Sequence, residues 1–211
     1  NEAFWGGIKT VFWVLLIVMP VQWGLGFMGA LKDSSVFVTS AVIAFGYAAI
    51  PEEFFKFRVL KQMSNHSAFD EPMDGIVYGA VASLGFATLE NVMYCLDGGM
   101  QTVILRAFTA VPAHAAFGAI MGYHFSKQHF QGNAVGLRSK SYLYPVLIHG
   151  LYNYLLFVIA GLSARQEHTS AEKMTILGCF FGVLVLGGWM FFTVRSIIKE
   201  MQAEQAQLPD Q

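Results

Sequence analysis

The chain alternates between long apolar stretches and short polar connectors. Six stretches each supply about 20 apolar residues, the length that an α-helix needs to cross the hydrocarbon core of a bilayer. Their predicted bounds are Thr10–Leu31, Val36–Phe55, Ile76–Leu96, Val103–Phe125, Tyr142–Leu162 and Met174–Val194. The pattern therefore predicts an all-α polytopic membrane protein with about six transmembrane helices.

Composition supports an integral membrane protein. Apolar residues make up 55% of the chain and charged residues 13%, against about 25% charged residues in ordinary soluble domains. The net charge of -1 gives no sign of nucleic-acid binding, and Cys95 and Cys179 suggest neither a disulfide framework nor a thiolate metal site. We expect the lipid bilayer as the environment of a single membrane domain over residues 1–194, followed by a polar cytoplasmic tail over residues 195–211.

The distribution of lysine and arginine predicts the orientation. With six spans, both termini lie on the same side as the loops after the second and fourth spans. That side carries eight basic residues: Lys9, Arg58, Lys61, Lys127, Arg138, Lys140, Arg195 and Lys199. The opposite side carries four: Lys32, Arg106, Arg165 and Lys173. The excess predicts that both termini are cytoplasmic.

Charged residues at membrane depth are the most informative feature of the chain. Glu52, Glu53 and Lys56 follow an almost uninterrupted apolar run. Each charge at the bilayer centre costs roughly 2.5–3.5 kcal/mol on insertion scales, so such residues indicate a functional site. At helical spacing, Glu52 and Lys56 share a face and Glu53 is offset toward a neighbouring helix. The alternative is a helix end at the interface, where pairing of glutamate with lysine is inexpensive.

The third predicted helix adds Glu90 and Asn91 in its second half. Glu90 could alternatively be a buried carboxylate that pairs with Lys56 or Arg106. One face of this helix has a stripe of small residues, which predicts the close approach of another helix. The stripe consists of Gly75, Gly79, Ser83 and Ala87.

The fourth and fifth predicted helices carry imidazoles. His114 follows Pro112, a residue that can bend a helix, and shares one face with Gly118 and Gly122. His149 and Asn153 lie one helical turn apart. Taken alone, His114 could be a packing residue, and His149 with Asn153 could be a hydrogen-bonded pair between helices.

Four successive helices thus each carry acid, imidazole or amide groups, and we predict that these groups converge on one polar cavity between helices 2 and 5. Peptide hydrolysis needs an activated water and stabilisation of an oxyanion. In a metal version, Glu90, His114 and His149 bind zinc, and Glu53 or Glu52 activates water. In a metal-free version, Glu52 or Glu53 is the base.

His149 and Asn153 supply the oxyanion donors in the metal-free version. The HExxH motif of soluble zinc proteases does not occur in this chain. Lys56 and Asn91 are expected to support the site. Two alternatives remain, a proton- or ion-coupled transporter and a catalytically inactive protease-like scaffold.

The ordered motifs resemble a known family. E-E-x-x-K at Glu52–Lys56, F-x-x-x-E-N at Phe86–Asn91, and then His114 and His149 are similar to the PrsW intramembrane proteases. The wider clan includes CAAX prenyl endopeptidases and bacteriocin-processing enzymes. The chain departs from the CAAX enzymes at Lys56, which has a shorter spacing, and at Glu90, where those enzymes place histidine.

The resemblance implies an intramembrane endopeptidase that uses a glutamate-activated water. It implies membrane-anchored protein substrates, in some members regulatory anti-sigma factors. It also implies a location in the bacterial cytoplasmic membrane.

Overall fold

The computed structural model of the protein describes residues 2–27, 29, 31–132 and 136–206, which form helices joined by short turns and contain no strand. The elements are α1 (Glu2–Phe27), α2 (Val36–Ala41), a π-helical segment (Val42–Ala49), α3 (Ile50–Met63), α4 (Pro72–Phe108), α5 (Ala110–Gln131), α6 (Leu137–Ser163) and α7 (Ser170–Gln205). Five helical segments are long and apolar enough to cross a membrane, and a bent pair can make a sixth. The predicted all-α polytopic class is confirmed.

The second predicted helix extends beyond its predicted end at Phe55. α2, the π-helical segment and α3 follow one another without interruption from Val36 to Met63. The additional turns persist because Val59, Leu60 and Met63 are buried against neighbouring helices. The first predicted helix begins earlier than expected, since α1 starts at Glu2, and residues 28 and 30 of its predicted end lie outside the described residues.

α4 contains a sharp break at Gly99. This glycine has a φ of 70° and a ψ of -174°, which no residue in a regular helix adopts. Beyond it, Arg106 contacts Glu90 and Asn91. In a straight helix, residues 15 or 16 positions apart are separated by roughly 23 Å along the axis. The chain therefore reverses at Gly99, and the segment Gly98–Phe108 runs back along the second half of α4.

A second bend separates this returning segment from α5. The axes of Gly98–Phe108 and Ala110–Gln131 differ by 42°. The break falls at Thr109, with a φ of -120° and a ψ of -72°. Pro112 lies three residues later and has no amide hydrogen for the carbonyl of Phe108, which accounts for a bend at this position.

The two glycine-rich faces pack against each other at the α4–α5 contact. A Cβ atom at Gly122 would collide with the carbonyl of Gly75, and one at Gly79 would collide with the carbonyl of Gly118. The backbones approach so closely because neither helix has side chains there. The close approach predicted from the small-residue stripe is confirmed, and the other helix contributes the face of Gly118 and Gly122.

α7 continues beyond the predicted end of the last span at Val194 and reaches Gln205. Ile197 and Met201 are buried in a cluster with Ile76 and Ile120. Part of the segment predicted as a polar tail therefore packs on α4 and α5. The division of the chain at residue 194 stays a prediction, and residues 207–211 lie outside the described part.

Candidate functional site

α3 presents the paired glutamates at its first turn. The preceding π-helical turns are wider than α-helical ones, and such turns are frequent near functional sites. Pro51 lies at the junction of the π-helical segment and α3, where the missing amide hydrogen interrupts the backbone hydrogen bonds of the continuous helix. Glu52 and Glu53 follow directly, and Lys56 comes one turn later, so that all three side chains are buried in the bundle.

The Lys56 ammonium group lies at the centre of the site. Its Nζ donates to Glu53 Oε1 at 2.7 Å and contacts His114 Nδ1 at 3.0 Å. It also lies 4.3 Å from the centre of the Phe86 ring and 3.7 Å from Glu52 Oε2. A fully buried lysine is tolerated here because carboxylates, an imidazole nitrogen and an aromatic face replace its water shell.

His149 of α6 occupies the other side of Glu53. Its Nδ1 lies 2.8 Å from Glu53 Oε1, and Asn153 Nδ2 lies 2.9 Å from its Nε2. An ionised carboxylate only accepts hydrogen bonds. Nδ1 therefore carries the proton and donates to Glu53, and Nε2 accepts from the Asn153 amide. The ring stacks on Phe117 at a centroid distance of 4.8 Å, which holds its plane.

Glu90 lies on the far side of His114. Its Oε2 accepts from Arg106 Nη2 at 2.6 Å and lies 3.0 Å from His114 Nε2. Asn91 Oδ1 accepts from Arg106 Nε at 3.1 Å. Glu90 thus pairs with Arg106, one of the two partners that the sequence left open, while Lys56 pairs with Glu53.

These contacts form one continuous network of side chains across α3, α4, α5 and α6. The chain of partners is, in order, Asn153, His149, Glu53, Lys56, His114, Glu90 and Arg106. The rings of His114 and His149 are 5.0 Å apart at their centroids. The structure therefore brings together the residues that the sequence singled out, and their catalytic roles stay predictions.

A group of four residues could hold a metal ion. Glu52, Glu53, His114 and His149 each offer one ligand atom, and these atoms lie within 4.8 Å of one another. Two imidazoles with carboxylates are a common zinc ligand set. Oε2 of Glu52 and Oε2 of Glu53 are buried without a hydrogen-bond partner in the described residues, which favours a cation beside them. Glu90, predicted as a ligand, is not part of this group.

Sequence reasoning did not assign a role to Arg106 or Phe117. Arg106 was only one of two possible partners for Glu90, because nothing in the hydropathy pattern indicated that the chain reverses before it. The Asp-Gly-Gly sequence at residues 97–99 was the available signal, since adjacent glycines often mark a turn. Phe117 lies within an ordinary apolar stretch and has no distinguishing pattern.

The fold and the site now define a class of protein, and comparison with known proteins agrees. A polytopic helical bundle with buried, networked glutamates and histidines has the groups that an intramembrane protease needs. The family model described as "PrsW family intramembrane metalloprotease" matches residues 2–186. The chain belongs to the PrsW family. This membership supports a membrane protease and disfavours a transporter or an inactive scaffold.

Several relatives bear the name Protease PrsW. The protein of Geobacillus kaustophilus is 44% identical over 154 residues, which is 71% of this chain and 66% of the relative. That of Oceanobacillus iheyensis is 35% identical over 74% of this chain and 72% of the relative. That of Bacillus subtilis is 32% identical over 76% and 73%. The chain thus spans about two thirds of the Geobacillus protein's length. No solved structure matches it significantly.

Proposed function

We propose that the protein is an intramembrane endopeptidase that hydrolyses peptide bonds of membrane-anchored proteins, with Glu52 as the general base. One observation carries the proposal. A single buried network joins Glu53, Lys56, His114 and His149, and the carboxylate of Glu52 lies beside it with an unpaired oxygen. A membrane protein accepts so many buried polar groups only where function requires them.

The contacts of the two glutamates favour Glu52 as the base. Glu53 Oε1 already accepts from Lys56 and His149, and its side chain is fully buried. Glu52 Oε2 is 3.7 Å from Lys56 and 3.9 Å from His149, beyond hydrogen-bonding distance. The Glu52 side chain is also 8% exposed. Glu53 Oε2 also has no partner in the described residues, but Glu52 is the more exposed carboxylate and is not engaged by Lys56 and His149. Glu52 is therefore better placed to take a proton from water, while Glu53 holds Lys56 and His149 in place.

The reaction follows from these assignments. Glu52 takes a proton from water as the water oxygen bonds to the substrate carbonyl carbon. Asn153 uses one amide hydrogen to hold His149, so its second is available to donate to the developing oxyanion. Glu52 then returns the proton to the leaving nitrogen as the C–N bond breaks. The buried Lys56 ammonium stabilises the negative charge that persists near the carboxylates throughout.

The residues also fit a zinc ion, which the family description implies. His114 Nδ1, His149 Nε2 and a carboxylate of the four-residue group would hold it. Lys56 and Asn153 would then give up their hydrogen bonds to these two ring nitrogens. Bound zinc would polarise the substrate carbonyl and acidify a bound water. We assign Glu90 to the orientation of His114 rather than to the metal, because its Oε2 already accepts from Arg106 and pairs with His114 Nε2.

The proposal includes the location of the protein and its substrate. The excess of lysine and arginine at the predicted cytoplasmic ends favours an orientation with both termini inside. The bacterial relatives favour the cytoplasmic membrane of a bacterium. The burial of the site among four helices favours a substrate that reaches it from the membrane, as an anchored protein does.

Cleavage by the purified full chain in lipid vesicles tests the proposal, with a single-span reporter protein as substrate and mass spectrometry to locate the cut. Glu52→Gln keeps the shape of the side chain and removes the base, so we expect a loss of about 10²–10⁴-fold in turnover. Glu167→Gln is the matched control, since Glu167 is an exposed loop carboxylate, and should retain full activity. Full cleavage by Glu52→Gln would contradict the assignment of the base.

Metal analysis tests the zinc version. The protein is purified without a histidine tag, its zinc content is measured, and cleavage is assayed after chelation and after zinc is added back. Stoichiometric zinc, with activity lost on chelation and restored by zinc, is the expected result. Full activity in protein that contains no stoichiometric metal would overturn the zinc version and leave the glutamate base in place.

A further inference from the structure

We propose that Arg106 is a positioning residue of this peptidase, which acts through Glu90 to hold the His114 imidazole in one orientation, with its Nε2–H directed at Glu90. The inference rests on the proposed function. None of the residues on which the resemblance to the PrsW family was based is Arg106, and its place in the site arises because the chain reverses at Gly99.

The guanidinium of Arg106 is held at three points. Nη2 donates to Glu90 Oε2 at 2.6 Å, and Nε donates to Asn91 Oδ1 at 3.1 Å. The central carbon lies 3.8 Å from the centre of the Tyr94 ring. A planar fork that makes two directed hydrogen bonds and stacks on a ring has a defined orientation, which a lysine ammonium cannot reproduce.

The position of Arg106 affects His114 through one oxygen, Glu90 Oε2, which both residues contact. Glu90 Oε2 accepts from Arg106 and lies 3.0 Å from His114 Nε2, so Nε2 must carry the proton. At the other end of the ring, Nδ1 lies 3.0 Å from the Lys56 ammonium, which can only donate. Both ends of the imidazole therefore specify the same neutral tautomer, with the Nδ1 lone pair directed toward the catalytic groups.

Glu90 and Arg106 are the more accessible end of the network. Their side chains are 19% and 16% exposed, whereas those of Lys56 and Glu53 are fully buried. In the contacts described above, Glu90 pairs with Arg106 and His114. Without Arg106, this partly exposed carboxylate would be left with His114. The carboxylate could then turn toward water, and the imidazole would lose the acceptor that fixes the orientation of its Nε2–H.

The effect should appear in turnover rather than in substrate binding, because Arg106 contacts protein groups next to the reacting residues. Loss of such an orienting partner typically costs about 10–100-fold. We expect Arg106→Gln to lower kcat by this factor with little change in KM. Arg106→Lys keeps the charge but not the fork, and should recover part of the loss.

A double-mutant cycle separates positioning through Glu90 from any independent role. Arg106→Gln, Glu90→Gln and the double variant are compared in the vesicle assay. If Arg106 acts through Glu90, the double variant is no slower than Glu90→Gln alone. Losses that multiply, or an Arg106→Gln enzyme with unchanged kcat, would overturn the proposal.

Arg165→Gln is the matched control, because this arginine also pairs with a glutamate, Glu172, but has a half-exposed side chain. We expect it to leave the kinetics unchanged. Should Arg106→Gln fail to fold, Arg106→Lys decides the question, since wild-type kcat in that variant would mean that the fork is not needed.

A spectroscopic readout does not depend on catalysis. The full chain is labelled with ¹⁵N-histidine in bilayers, and His114 is assigned by comparison with His114→Gln. We expect one neutral tautomer with a single sharp Nε2–H signal in the unmodified protein, and a shifted and broadened Nε2–H signal in Arg106→Gln, where the acceptor of this proton is no longer fixed. An identical His114 signal in both would refute the proposal. If the unmodified protein does not cleave the reporter, the proposed function is contradicted. The positioning of His114 by Arg106 is still tested in that case, because the ¹⁵N-histidine measurement does not require catalysis.

Discussion

Replacing Lys56 with methionine should destabilise the bundle and should show which buried group the Lys56 ammonium stabilises. Methionine has a similar length and leaves no large cavity, so the main loss is electrostatic. The variant loses the 2.7 Å hydrogen bond to Glu53, the 3.0 Å contact with His114 and the interaction with the Phe86 ring. Removing one partner of a buried ion pair typically costs about 3–5 kcal/mol, because the other charge stays buried without compensation.

The cost should depend on Glu53. In Lys56→Met/Glu53→Gln, the uncompensated carboxylate is gone, so the double variant should be destabilised by less than the sum of the two single changes. The expected coupling is about 1–3 kcal/mol, the upper part of the range for residues in direct contact. Lys61→Met is the matched control. Lys61 lies on the same helix but is exposed, and such surface changes usually alter stability by no more than about 0.5 kcal/mol.

The assay is reversible unfolding in mixed micelles, followed by the fluorescence of the four tryptophans. A loss in Lys56→Met no greater than that in the control would mean that the ammonium is not a structural partner of the carboxylate. If the losses of unfolding free energy in the two single variants simply add in the double variant, the stabilising contacts of Lys56 do not include Glu53. Either result would refute the central position of Lys56 in the network.

Three further substitutions test the surrounding structure. Gly122→Ala places a methyl group against the carbonyl of Gly75, so it should separate α4 from α5 and destabilise the protein by about 1–3 kcal/mol in the same unfolding assay; a neutral effect would argue against the close helix contact. Gly99→Ala forces a residue with a side chain into a φ of +70°, and should lower cleavage in vesicles by displacing Arg106; wild-type turnover would contradict this. Met201→Ala should cost about 2–5 kcal/mol because the side chain is fully buried, whereas a solvated tail would show no change on unfolding.

The sequence by itself determined the class of fold and the composition of the site. Apolar stretches of about 20 residues can satisfy their backbone groups in lipid only as helices, so the hydropathy pattern predicts the helical bundle. The cost of glutamate, lysine and histidine at membrane depth requires that they find partners, so their convergence could also be predicted. The glycine faces of α4 and α5 follow from the same kind of local reasoning, because a periodicity of three to four residues defines a helix face.

Only the tertiary structure decided which partners meet. The Lys56 ammonium contacts Glu53 and His114, and Glu52 lies beyond hydrogen-bonding distance of it. Which of these contacts form depends on the rotation of α3 relative to α5 and α6, and that rotation is set by the packing of the whole bundle. Arg106 reaches Glu90 because of the backbone conformation of one residue, Gly99, which hydropathy does not encode. Helix periodicity places a residue on a face to within a fraction of a turn, but a hydrogen bond requires atoms to lie within a few tenths of an ångström of their ideal separation. That accuracy arises only when several helices constrain one another.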